Sequence, residues 1–287
     1  MRPAKFEYFA PDSLEQAAAL LADANGMGSI MAGGQSLMAA MNLRLARPSR
    51  VIDLRKVPAM GNIEVGPDTV RIGAMATHAS IIASDRLREA IPLLAMAGRH
   101  IAHSTIREHG TMGGSLALAD PASEWPTVVT LLGGRLRAVN VRGDRWIDIR
   151  DFFHSFYTTE LATDEILAEI DIPLPKRGVR FAFQEFSRQR GAFAIAMAAV
   201  SFTPGDGSPG KLDAVLGGCG PRPVRLELGT LQADASLDQH VAEILDRASL
   251  TPTNDVHASA EDRRTIASSL LVGCVTELLH PTSQRGH

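Results

Sequence analysis

The sequence predicts an α+β protein in two domains. Up to about residue 172, short apolar strands alternate with amphipathic helices, as in the series 6–10, 11–26, 29–32 and 50–54. Residues 63–73 and 135–149 read as antiparallel hairpins. The chain then breaks at Pro173-Leu174-Pro175 and Gly178, and three apolar segments followed by helices suggest a separate antiparallel sheet. With 287 residues, 45% of them hydrophobic and 21% charged, there is material for more than one core.

Each element has a local reason. Residues 6–10 form a strand, and Asp12 or Ser13 caps the helix that follows, with Glu15 three places after Asp12. Leu14, Ala17, Ala18, Leu20 and Leu21 give that helix its apolar face, and it ends near Gly26. The strand 29–32 runs into Gly33-Gly34, and an apolar helix is expected over 38–45. Strand 50–54 and a hairpin around Gly66-Pro67-Asp68 come next. Thr77 caps one helix, and Pro92 sits in the first turn of another over 91–97. A second Gly-Gly pair lies at 113–114, and a helix over 125–132 stops at Gly133-Gly134. Strands 135–141 and 145–149 flank a turn at Gly143-Asp144, a short helix starts at 151–153, and strand 165–172 closes this part. Beyond it, strands are expected at 179–187, 194–202 and 212–217, helices at 241–249 and 262–279, and a frayed polar tail at 281–287.

The chemistry concentrates in the two Gly-Gly segments. Residues 29–38 read as apolar strand, Gly-Gly turn, hydroxyl and helix, and residues 111–116 repeat the pattern. Glycines let the backbone take φ > 0 and approach a ligand, and successive bare N–H groups form an anion nest. Neither segment carries the Lys of a nucleoside-triphosphatase loop or a G-x-G-x-x-G fingerprint. Two lysine-free segments suit a pyrophosphate held from both sides by amides, as in FAD, rather than a transferable phosphoryl group.

Composition excludes other classes. A net charge of −3 and 5% aromatics argue against nucleic acid and anionic membrane surfaces as partners. Cys219 and Cys274 are too few to ligate an iron–sulfur cluster or a structural zinc within this chain. No run of about 18 apolar residues spans a membrane. The N-terminus lacks a signal-peptide core, so a cytoplasmic location with reduced thiols is expected.

Taken together, Ala32-Gly33-Gly34-Gln35-Ser36-Leu37, Met41-Asn42-Leu43-Arg44, Ile72-Gly73-Ala74, Thr77-His78, Gly110-Thr111-Met112-Gly113-Gly114-Ser115 and Asp120-Pro121-Ala122-Ser123-Glu124-Trp125 resemble, in order, the FAD-binding medium subunit of the xanthine dehydrogenase and carbon monoxide dehydrogenase family of molybdenum hydroxylases. The resemblance runs from about residue 3 to about residue 280. It implies a vanillyl-alcohol-oxidase (PCMH) type FAD-binding domain over 1–176, with subdomains of about 1–57 and 58–176. A C-terminal domain over 177–287, with a three-stranded antiparallel sheet and helices, would follow. Residues Ile30, Met31, Ala32, Gly33, Gly34, Gln35, Ser36 and Leu37, with Thr111, Met112, Gly113, Gly114 and Ser115, would wrap the pyrophosphate. Glu124 would hold the adenosine ribose, and Ile101 and Leu167 would form apolar walls. Thr77, His78, Asp120 and Gln184 complete the cofactor set.

The resemblance further implies a small partner with 2Fe–2S clusters and a large molybdopterin partner, in a dimer of heterotrimers. Electrons would reach FAD from the clusters and leave to an external acceptor, and no residue of this chain would be catalytic towards the hydroxylated substrate. Two departures stand out. Related chains often carry Lys at Gln184 or Glu185, and an acid where this chain has Ala192. Arg188 or Arg190 could compensate for the missing cation.

Plainer roles compete with these. His78 could lie near the flavin or fill a polar niche. His100, His103 and His109, in what reads as an irregular stretch, make a poor metal set. Asp120 and Glu124 could be an acid–base pair or a loop brace and a ribose ligand, and Asp120 could also cap the next helix. Arg107 could neutralise the pyrophosphate or pair with a surface acid, and Gln35 could bond the flavin or its own loop. At the level of function, the rivals are a stand-alone flavin oxidoreductase and a non-catalytic FAD-bearing scaffold.

Overall fold

The computed structural model describes residues 2–280, apart from 208, 233 and 249. The expected tail at 281–287 lies outside the described residues.

The first sheet is built from β1 (Glu7–Phe9), β2 (Gly28–Met31) and β3 (Arg50–Asp53), with helices α1 (Leu14–Asp23) and α2 (Gln35–Asn42) between them. Its order is β1-β3-β2 and both pairings are parallel. Ser13, not Asp12, caps α1, its Oγ accepting from the Gln16 N–H at 3.2 Å. Ala17, Ala18 and Leu21 are the buried face. Asp53, only 1% exposed, closes β3 and accepts from the Tyr8 hydroxyl at 2.5 Å and from Arg55 at 2.6 Å. Burial pushes its carboxyl up, but the hydrogen bonds from Arg55 and Tyr8 outweigh this and hold it below the usual range. Asp53→Ala is expected to cost about 1–3 kcal/mol in urea unfolding, because two donors lose their acceptor.

The second sheet is antiparallel, in the order β4-β5-β10-β6-β7. Its strands are β4 (Ile63–Val65), β5 (Thr69–Gly73), β6 (Arg135–Asn140), β7 (Gly143–Asp148) and β10 (Ile166–Pro173). A small hairpin of β8 (Phe153–Ser155) and β9 (Thr158–Thr159) precedes β10. Asn140 pairs with Gly143, so the turn is Val141-Arg142 rather than Gly143-Asp144. Between β5 and β6 run α3 (His78–Ala83), α4 (Asp85–Ala90), α5 (Pro92–Gly98), α6 (Ser104–His109), α7 (Met112–Leu118) and α8 (Glu124–Leu132), and α9 (Ile149–Phe152) follows β7. The stretch expected to be irregular near His103 and His109 is therefore partly helical. Gly133 ends α8 in the left-handed region at φ 77°.

The third sheet corrects the sequence expectation: it has four strands, not three. β11 (Arg180–Ser187), β12 (Ala194–Thr203), β13 (Lys211–Gly217) and β14 (Val224–Gly229) form an antiparallel meander. The signal for β14 was present, since Val224, Leu226 and Leu228 alternate with Arg225 and Glu227. Its entry through Pro221 and Pro223 masked it. Helices α10 (Leu237–Arg247) and α11 (Ala260–Leu279) follow, the latter with a Ser259–Asp262 capping box.

One face of this sheet, through Ala182, Ala196, Ala198 and Ala214, packs on Leu271, Cys274 and Val275 of α11. The other, through Phe183, Met197, Ala199 and Val215, joins the core that contains Trp125 and Val128 of α8. Burial on both faces explains the run of small residues in β12, where alternation has nothing to separate. Cys219 and Cys274 are buried free thiols. No described helix is long and apolar enough to cross a membrane.

Candidate functional site

The two Gly-Gly segments meet. Helix α2 starts directly after the first pair, with Gly34 as its N-cap at φ 72° and no side chain capping it. Ser36 is exposed in its first turn. The Gln35 amide donates to the Gly33 carbonyl at 3.0 Å, so it braces its own loop. The second pair is not a turn. Gly113 and Gly114 lie in the first turn of α7, where the Thr111 hydroxyl accepts from the Gly114 N–H at 3.0 Å. This segment is stitched to residues 74–78. His78 N–H donates to Gly110 O, Met112 N–H to Ala76 O and Gly113 N–H to Ala74 O, all within 3.0 Å. Thr77 pairs with Thr111 across a single bridge and caps α3 through Ser80 N–H.

Contact, more than backbone conformation, selects these glycines. A Cβ on Gly33 would lie 2.0 Å from the His109 carbonyl oxygen and 2.8 Å from Gly110 Cα. One on Gly113 would lie 2.4 Å from Ala74 Cβ, and one on Gly114 would touch Ala32 Cβ at 3.4 Å. Of the four, only Gly34 has positive φ. Met31 is buried, with Leu37 packed against the same cluster. Ile30 and Met112 likewise pack into the main core.

His78 takes the plainer role. It is buried, and its Nδ1 accepts from the Trp125 indole N–H at 2.9 Å. Burial, assisted by the Arg107 charge, pushes its imidazole down to about 4. The Arg107 guanidinium holds the carbonyls of Ile101 and Ala102 at 2.8 Å each, and no acid pairs with it among the described residues. That clamps a turn in which Ala102 has φ 40°. Ile101 and Leu167 are buried in the main core.

Asp120 does not cap α8, because Ser123 occupies that position. Its carboxylate accepts from Ala122 N–H at 2.9 Å and from the Tyr157 hydroxyl at 3.2 Å, a loop brace. Glu124, the first residue of α8, is buried, and its carboxyl lies within hydrogen-bonding reach of Glu185 on β11. The Glu185 side chain is 3% exposed, with His100 Nδ1 4.0 Å away. Burial, then the charge of Glu185, pushes the Glu124 carboxyl well up, and burial raises Glu185 as well.

Gln184 does not join this group. Strand alternation sends it to the other face of β11, against Gly273 of α11, where a Cβ would meet its Oε1 at 2.5 Å. The sequence reading places Gln184 in the cofactor set and names Glu185 only as an alternative position for the missing Lys, and the pleat of β11 sends the two to opposite faces. The three histidines also diverge. His100 packs edge-on against Phe183, His103 lies beside Gly191, and the His109 carbonyl meets Gly33.

These residues fit FAD. The bare, uncapped start of α2 offers N–H groups and the positive end of its dipole to a pyrophosphate. Beside it the segments approach so closely that a Cβ on Gly33 would lie 2.0 Å from the His109 carbonyl oxygen, a cradle that only glycine leaves open. Fold and site together define an FAD-binding chain of the molybdopterin dehydrogenase class. Residues 4–175 match the FAD-binding domain in molybdopterin dehydrogenase, and residues 181–278 match the CO dehydrogenase flavoprotein C-terminal domain. The chain belongs to this family: it is an oxidoreductase chain whose cofactor is FAD.

The chain is 38% identical to the nicotine 6-hydroxylase medium subunit of Paenarthrobacter nicotinovorans, with 96% of this chain and 98% of that one covered. It is 34% identical to the caffeine dehydrogenase subunit beta of Pseudomonas sp. (strain CBB1), with 100% of both covered. Among solved structures, the carbon monoxide dehydrogenase of Hydrogenophaga pseudoflava matches with a TM-score of 0.90 and 28% identity, over 96% of this chain and 98% of that one.

Proposed function

We propose that this chain is the electron-transfer subunit of a three-chain molybdenum hydroxylase, taking electrons from 2Fe–2S clusters in a small partner and passing them to an external acceptor. The observation that carries the cofactor half of this reading is the contact between the two Gly-Gly segments beside an uncapped helix start. FAD, when bound, supplies the redox chemistry, while the protein supplies binding, orientation and exclusion of water.

In this reading the bare amides at the start of α2, within 32–37, and the hydroxyls of Ser36 and Thr111 hold the pyrophosphate, while 111–115, whose N–H groups at 112–115 are already paired inside the protein, closes the cradle by contact. Glu124 receives ribose hydroxyls, and Ile101 and Leu167 keep water from the rings. Gln35 and His78 brace the loops rather than touch the cofactor. The partition into 1–57, 58–176 and 177–287, the vanillyl-alcohol-oxidase type of flavin fold, a dimer of heterotrimers and a cytoplasmic location belong to the same proposal. Relatives named for hydroxylating or dehydrogenating nicotine and caffeine support a substrate held by the large partner, with an N-heterocycle as its class.

The test is an affinity purification of the tagged chain from its native cell, followed by a visible spectrum and metal analysis. Flavin eluting with iron, molybdenum and two further chains is the expected result. Flavin alone, with turnover of a simple alcohol or amine, would replace this reading by the stand-alone oxidoreductase.

A further inference from the structure

We propose that Glu185 is a positioning residue for the cofactor: it shares one proton with Glu124 and so fixes the start of α8 in the geometry that receives the cofactor's hydroxyls. This rests on the FAD reading above.

The argument begins with burial. Two carboxyl groups from different parts of the chain, one at the first position of α8 and one on β11, lie within hydrogen-bonding reach of each other away from water. Two carboxylates cannot share a hydrogen bond, since neither has a hydrogen to give. Glu185 Oε2 is buried and has no partner in the hydrogen bonds of the described residues, so its donor is the proton of Glu124.

Among the described residues no Lys or Arg forms an ion pair with either carboxyl instead. His100 Nδ1, at 4.0 Å, is the nearest basic nitrogen recorded to the pair, and burial, then Arg190, push that imidazole below its ordinary value. Asp120, on the loop before α8, adds negative charge towards Glu124. Arg107, on α6, acts on His78 and on backbone carbonyls. Like charges in such a place are relieved by keeping one proton between them.

The same end of α8 is wired to the second Gly-Gly segment. Trp125, next to Glu124, donates to His78, and the His78 ring lies against Gly110, where a Cβ would be 2.7 Å from Nε2. Gly110 precedes Thr111, the cap of α7. Displacing Glu124 therefore disturbs the segment proposed to close the pyrophosphate cradle.

The experiment titrates FAD into the flavin-stripped full-length chain from pH 6 to pH 9.5, for the natural protein and for Glu185→Gln. Infrared spectra of both are recorded without flavin. The natural chain should show the C=O stretch of a protonated carboxyl at neutral pH, lost on alkalinisation. Its FAD dissociation constant should be flat at first, then weaken up to about tenfold per pH unit once the shared proton leaves. Glu185→Gln keeps the shape and gives Glu124 a permanent N–H donor. It should bind FAD as tightly at pH 6, without that alkaline weakening. Thermal melts of both proteins would show that the variant is folded. Superimposable pH profiles with normal FAD uptake would overturn the positioning role alone. Absence of FAD uptake at every pH in both proteins would overturn the cofactor reading and the role with it.

Discussion

Gly33→Ala is expected to strip FAD from the chain and lower its unfolding free energy by about 1–3 kcal/mol, although it adds a single methyl group. That methyl would sit 2.0 Å from the His109 carbonyl oxygen and 2.7 Å from its carbon. Both are backbone atoms held by α6 and by the hydrogen bond from His78 N–H to Gly110 O at 3.0 Å, so neither can rotate away. The two Gly-Gly segments must then separate, and the amides proposed to face the pyrophosphate separate with them. Gly34→Ala is a useful contrast. It meets only the Met31 and Met38 side chains at 3.4 Å or more, but it forces a left-handed alanine, a cost of about 1–2 kcal/mol. Gly114→Ala presses on Thr111 Oγ1 at 2.9 Å and should fall between them. Flavin content and urea midpoints of the three variants check the ranking. If Gly33→Ala keeps its flavin and its midpoint, contact between the segments does not organise the site.

Much of this site was legible as residue types and little of it as contacts. Gly33-Gly34 followed by Ser36, and Gly113-Gly114 between Thr111 and Ser115, point by residue type alone to the anion site proposed here. What the sequence hides is that Gly33 answers to His109, about 75 positions away, and Gly113 to Ala74. Long-range fit leaves no local pattern. The choice between Gln184 and Glu185 depended on which face of β11 met α11, and the strand is buried on both faces, so polarity could not decide it. Glu124 carried a motif, whereas its partner Glu185 carried none. The strand β14 was readable and was hidden only by the prolines before it.

His78→Gln should make the protein less sensitive to acid, and the sign follows from where the proton binds. In the folded chain the imidazole is pushed down to about 4, by burial first and then by Arg107, against 6.5 when it is free. Below pH 6.5 the unfolded chain takes up a proton that the folded chain refuses. Stability from this residue is therefore complete above pH 6.5 and drains away as the pH falls towards 4. A shift of that size corresponds to about 3 kcal/mol once the pH is below both values. Protonation would also cost Trp125 its acceptor, because Nδ1 accepts the indole N–H.

The Glu124–Glu185 pair works in the opposite direction. Its Glu124 carboxyl is raised from 4.5 to about 8, by burial first and then by Glu185. The folded chain thus keeps a proton that the unfolded chain releases, and stability from the pair declines as the pH climbs from about 4.5 to about 8. Between about pH 4.5 and 6.5 the two slopes oppose and nearly cancel, so the natural protein should be level there and lose stability above about 6.5. Urea unfolding from pH 4.5 to pH 8.5 separates them: His78→Gln should leave a steady decline as the pH rises through this range, whereas Glu185→Gln should flatten the alkaline limb and leave a rise up to about pH 6.5. A pH profile unchanged in His78→Gln would mean that Trp125 and His78 part before the imidazole is protonated.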